Sequence, residues 1–75
     1  MAYTRNNKRI QLLGNRIREL RIQKGLTIEE LAHLADISFS QLARIERGEI
    51  NTSISHLFVI AEALDMPVNN LFEKE

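Results

Sequence analysis

Residues 27–48 read TIEELAHLADISFSQLARIERG, and this stretch decides the fold. Thr27 stands three residues before Glu30, a capping box in which each side chain satisfies the other residue's backbone N–H, so a helix opens at Ile28. Glu29 and Glu30 in its first turn suit the positive end of the helix dipole. The helix is short and runs to about Ala35. Asp36 follows where a tight turn needs left-handed backbone, which Asp tolerates better than most non-glycine residues. Ser38 is the next N-cap, with Gln41 three residues on. The helix it opens carries Leu42 and Ile45 and stops at Gly48.

Two short helices joined by Asp36-Ile37-Ser38 form a helix-turn-helix unit at about residues 28–47. With Leu42 and Ile45 set inward, a step of about 100° per residue puts Ser40, Ala43, Arg44 and Arg47 on the opposite face, with Phe39 at its N-terminal edge. That outward face is short-chained at its start, basic toward its end, and free of acid. These properties fit insertion into a DNA groove. Ser40 can bond a base edge, Arg44 can reach guanine O6 and N7 with two bonds, and Phe39 can press on a thymine methyl. The competing reading is a solubilising face with one stray aromatic. Helix starts supply backbone contacts: Thr27 and Ser53 are caps first and phosphate seats second. Arg47 and Asn51 flank the following loop and can meet phosphate.

Outside this unit the chain also reads as helix. Ile10, Leu13, Ile17 and Leu20 repeat at steps of three and four up to Lys24-Gly25, a helix stop. Gly14 interrupts that pattern and marks a weak point, so residues 1–13 form an extension of the first helix. Ser53 caps a fourth helix bearing Leu57, Ile60, Ala61 and Leu64, and Met66-Pro67 opens a last short one with Val68, Leu71 and Phe72. Arg21 lies about 60° from the centre of the first helix's apolar stripe, and Glu46 about 70° from that of the third. Both charges point at least half inward in helices that should be neighbours. A half-buried charge needs a partner, so the two are expected to pair and lock the first helix to the third. Arg16 and Arg18 either graze phosphates or only solvate a surface, with solvation the preferred reading. The bases Arg5, Lys8 and Arg9 read as a mobile tail or an arm.

Composition excludes much. The 75 residues hold one domain and no cysteine, so there is neither a disulfide framework nor a thiolate metal site. No apolar run approaches the ~18 residues that span a bilayer. No secretory signal is present, which gives a cytoplasmic expectation with no membrane partner. The net charge of zero conceals an asymmetry. Residues 1–24 hold seven bases and one acid, giving +6, and residues 25–75 hold three bases and nine acids, giving −6. Such a split suits a polyanion met by one face. His33 and His56 read as surface residues without metal-ligand spacing. Gly14, Gly25 and Gly48 read as helix punctuation and form no phosphate loop. Neither an enzyme site, nor a metal site, nor a cofactor emerges.

The chain resembles the Cro- and repressor-type, or XRE-type, helix-turn-helix family. The resemblance rests on Ile17-Arg18-Glu19-Leu20-Arg21, Lys24-Gly25-Leu26-Thr27, Glu30-Leu31-Ala32, Ile37-Ser38 and Ile45-Glu46-Arg47-Gly48. It continues through Leu57, Ile60-Ala61, Ala63-Leu64 and Leu71-Phe72. It covers residues 14–72, leaving 73–75 as a tail, and implies an all-α, five-helix, lambda-repressor-like DNA-binding domain. By position it puts Phe39, Ser40 and Arg44 at bases with Ser38 beside them, and Arg21 and Glu46 on the family's internal ion pair. It also implies a homodimer on palindromic double-stranded DNA, with half-sites ~34 Å apart. Ile28 departs from the family's usual phosphate-binding glutamine. Asp36 and Asp65 replace common glycines, and Thr52 a frequent proline.

The expected function is a sequence-specific, bacterial or phage transcriptional regulator, such as a restriction–modification controller or a phage-type repressor. With the chain ending at residues 73–75, no sensor domain is expected. The rival class is an antitoxin-like or adaptor module whose partner is a protein encoded nearby. Ile28, Leu34, Phe58 and the last helix offer apolar groups for it, which core packing or, second, homodimer contact would also explain. Val68, Leu71 and Phe72, with Ile10 and Leu13, are the candidate dimer contacts, since a thin core favours dimerisation.

Overall fold

The Thr27 box forms as read: Glu30 N–H donates to Thr27 Oγ1 at 3.0 Å and Thr27 N–H to Glu30 Oε1 at 2.9 Å. It opens α2, Ile28–Ala35, in a computed structural model that describes residues 2–72, with side chains from Lys8 onward. The tail 73–75 and the Arg5 side chain lie outside the described residues. Asp36 takes φ 60° and ends α2 in the left-handed region. Ser38 then caps α3, Phe39–Glu46, through Gln41 N–H at 3.0 Å. The reciprocal half of that box is absent, because the Gln41 side chain turns to His56 instead. Ser53 caps α4, Ile54–Ala63, by accepting from His56 N–H at 3.1 Å.

The first helix, α1, spans Ala2–Gln23 without a break at Gly14. The weak point expected there is a contact point. A Cβ on Gly14 would collide with the Ile45 carbonyl oxygen and stand 2.7 Å from that of Glu46. Gly14 is thus the place where α1 meets the last turn of α3, and not punctuation.

The last element is a single 3-10 turn, Val68–Leu71, where a fifth α-helix was expected. Pro67 at its start supplies no side-chain cap, and four residues cannot close the i→i−4 ladder of an α-helix. Asn70 N–H donates to the Pro67 carbonyl and Phe72 N–H to that of Asn69, both at three-residue spacing. The architecture is therefore four α-helices and one 3-10 turn. Among the described residues there is no strand.

One core unites these elements. Ile17 of α1, Leu31 of α2, Leu42 and Ile45 of α3, and Ile60 of α4 are all but inaccessible. Leu71 joins them at 1% exposure. That removes Leu71 from the candidate dimer contacts: it fills the chain's own interior. Arg16 was read as solvating, yet its Nε donates to the Asn70 carbonyl at 3.1 Å and ties α1 to the 3-10 turn. No helix among the described residues is long and apolar enough to cross a membrane.

Candidate nucleic-acid interface

The third helix is wedged between α1 and α2, and this sets what it can show to solvent. Leu42, Ala43, Ile45 and Glu46 are buried. Ser40, Arg44 and Arg47 are exposed together on the opposite side. Phe39 stands at the N-terminal edge, half exposed. Ala43 is the exception to the expected outward set: at 7% exposure it faces inward. Helical periodicity locates the centre of a buried stripe, but neighbours on both flanks widen it, and a methyl side chain is easily covered.

Arg21 of α1 and Glu46 of α3 meet in a two-pronged ion pair. Arg21 Nε donates to Glu46 Oε2 at 2.8 Å and Nη2 to Oε1 at 3.1 Å. The third guanidinium nitrogen, Nη1, donates to the Leu26 carbonyl at 2.8 Å. The two residues are 8% and 4% exposed. Every polar atom is satisfied, the condition under which a buried pair is tolerated. The arrangement joins the end of α1, the turn into α2 and the end of α3 at one point.

Thr27, Ser38 and Ser53 are exposed at the starts of α2, α3 and α4. Each hydroxyl oxygen accepts a cap hydrogen bond and keeps its own O–H free to donate outward. Asn51 is exposed in the α3–α4 loop. Arg47 is exposed as well, but Glu49 holds it: Nε to Oε2 is 2.8 Å and Nη2 to Oε1 is 3.1 Å. The hydrogen bond from Arg47, helped by the charges of Arg47 and Arg44, keeps the Glu49 carboxyl below its usual range. A depressed carboxyl contributes its pairing above its unfolded value and loses it as pH falls through the folded one. Glu49 therefore stays charged at neutral pH and competes with any phosphate for Arg47. No acid lies on the outward face of α3 itself, so this competitor was invisible to a helix-by-helix reading.

Two other features escaped the sequence. His56 is half-buried, not a surface residue, and its Nδ1 lies near Gln41 and Thr52. Ile28, where a phosphate-binding glutamine was missed, is partly buried against the core and is not a free apolar surface. Leu34 and Phe58 are exposed, and His33 is exposed on α2. Lys8, Arg9 and Arg18 are exposed on α1. Among the described residues no cluster of three or more His, Asp or Glu could hold a metal ion.

A family model described as helix-turn-helix matches residues 17–71 of the chain. The chain belongs to the Cro/repressor-type helix-turn-helix family. The HTH-type transcriptional regulator SinR of Bacillus subtilis is 35% identical over 65 residues, which cover 85% of this chain and 59% of SinR. The immunity repressor protein of Bacillus phage phi105 is 40% identical over 63 residues, 84% of this chain and 44% of that repressor. Among solved structures, the restriction-modification controller protein C.AhdI from Aeromonas hydrophila is 40% identical with a TM-score of 0.83. That match covers 84% of this chain and 96% of C.AhdI. The helix-turn-helix chain spans about half the length of the curated relatives it matches.

Proposed function

We propose that this helix-turn-helix chain is a non-enzymatic, sequence-specific transcriptional regulator that reads double-stranded DNA by placing α3 in the major groove. The observation that carries the reading is the outward face of α3. It presents Ser40 and Arg44 with Phe39 at the edge, holds no acid, and is fixed to α1 by the buried Arg21–Glu46 pair. Phe39, Ser40 and Arg44 meet base edges. Thr27, Ser38, Asn51 and Ser53 meet phosphates, and Arg47 does so after leaving Glu49. The names of the relatives, regulators and a repressor, support this reading over a protein adaptor with a neighbouring gene's product as partner. The functional unit in this reading is residues 14–72, preceded by an N-terminal extension at 1–13, and a cytoplasmic location suits it.

The regulator acts as a homodimer on a palindromic site, with half-sites ~34 Å apart. Phe72 is 60% exposed beside a groove of about 720 Å³ lined by Ile10, Leu12 and Leu13 of α1. That surface, together with the half-buried Val68 of the 3-10 turn, is the dimer contact in this proposal.

Selection of binding sites from random DNA tests the function. A palindromic consensus is expected, with affinity falling steeply as salt rises. Material that prefers no sequence over scrambled competitor would refute it. On the best site, Arg44→Ala should lose ~1–3 kcal/mol and relax preference at one base pair. An equal loss on all sequences would make Arg44 a phosphate ligand only.

Glu49→Gln tests the competition for Arg47. Releasing the guanidinium and removing a negative charge should tighten binding on every sequence, with the salt slope steeper by about one counterion. Unchanged affinity and slope would mean that Arg47 never reaches a phosphate.

A further inference from the structure

One polar cluster joins the reading helix to its neighbours, and the buried ion pair has no part in it. His56, in the first turn of α4, places Nδ1 3.2 Å from Gln41 Nε2 on α3 and 3.3 Å from Thr52 Oγ1 in the loop between them. An amide nitrogen only donates, whereas a hydroxyl does either. With the amide nitrogen at this distance, the geometry calls for the tautomer in which Nδ1 accepts from Gln41 and Nε2 carries the ring proton. This pins the amide with its nitrogen inward. Among the described residues Gln41 Oε1 accepts no hydrogen bond, and no buried side-chain oxygen lacks a partner, so Oε1 opens to solvent. Gln41 follows Ser40 directly and lies roughly 60° around the helix from Arg44, on the flank of the outward face.

We propose that His56 is a positioning residue for sequence reading: it fixes the Gln41 amide so that only the acceptor Oε1 faces the DNA. An unrestrained glutamine offers a donor or an acceptor by rotating its amide. A pinned one offers an acceptor alone, which suits the amino group of cytosine N4 or adenine N6 and opposes guanine O6 or thymine O4. Thr52 shares the imidazole nitrogen and keeps the ring oriented. The inference rests on the DNA-reading function proposed above and adds Gln41 to the base-reading side chains.

Two experiments test it, one without DNA. In the free protein, 15N NMR of the His56 ring should show a bare Nδ1 and a protonated Nε2; the opposite tautomer overturns the proposal. Random-site selection is then run on the wild type, His56→Leu, His56→Asn, Gln41→Ala and the His56→Leu/Gln41→Ala double variant. His56→Leu should lose a preference of roughly three- to tenfold at one position per half-site, the range one hydrogen bond supplies, and keep the others. His56→Asn, whose side-chain oxygen replaces Nδ1 as acceptor, should restore it. In the Gln41→Ala background His56→Leu should change nothing further. An unaltered His56→Leu profile, or a change that persists without Gln41, overturns the proposal while leaving the regulator reading intact. A wild type that selects no sequence overturns both.

Discussion

Glu46→Ala is expected to cost about 3–5 kcal/mol of folding stability, read from urea unfolding of the purified chain. The reason is what the substitution leaves behind. Arg21 is 8% exposed, and two of its three guanidinium nitrogens end on Glu46. Without the carboxylate its charge sits in the interior with only the Leu26 carbonyl as partner. A chain of 75 residues has a total stability of roughly 4–11 kcal/mol, so the loss is a large part of the whole. Arg21→Met combined with Glu46→Leu should recover most of it, because no uncompensated charge then remains. A loss under about 1 kcal/mol for Glu46→Ala would show that water reaches the pair and that it behaves like a surface one. The double variant separates stability from function: it should fold while binding DNA less selectively, since α3 keeps its core but loses its tether to α1 and the turn.

The parts of this molecule that could be read from the sequence are those governed by short-range rules. Caps depend on residues three apart, so Thr27–Glu30, Ser38 and Ser53 declared the starts of α2, α3 and α4. Left-handed backbone restricts residue choice, which marked Asp36. Periodicity located Arg21 and Glu46 beside their stripes, and the need of a buried charge for a partner joined them. What was hidden depends on tertiary approach. Ala43 is inward because α1 and α2 widen the buried face of α3. Arg16 meets Asn70 across 54 positions of sequence, and Gln41 meets His56 across 15. Leu71 looked available as a dimer contact because nothing local says that a four-residue turn delivers its one large aliphatic side chain into the core. Arg47 looked free because Glu49 lies past the helix end, where a helical wheel does not extend.

Gly14 is where local and tertiary reasoning give opposite signs, which makes Gly14→Ala the sharper test of the packing. Glycine inside a helix is about 0.5–1 kcal/mol worse than alanine, so by propensity alone the substitution stabilises. The contact argues the other way. The new methyl would collide with the carbonyl oxygens of Ile45 and Glu46, which are backbone atoms at the end of α3 and cannot rotate aside. Overpacking of this kind costs typically 1–3 kcal/mol, and here the displaced neighbour carries the Arg21–Glu46 pair. The net result expected is a destabilisation of about 1–2 kcal/mol for alanine and a larger one for valine, measured by thermal or urea unfolding. A rise in stability for Gly14→Ala would mean that α1 stands farther from α3 than the structure places it. Because α1 can only relieve the clash by moving off α3, the destabilised variant should also lose sequence preference before it loses helix content. Circular dichroism and site selection on the same sample distinguish that order of events from simple unfolding, in which both fall together.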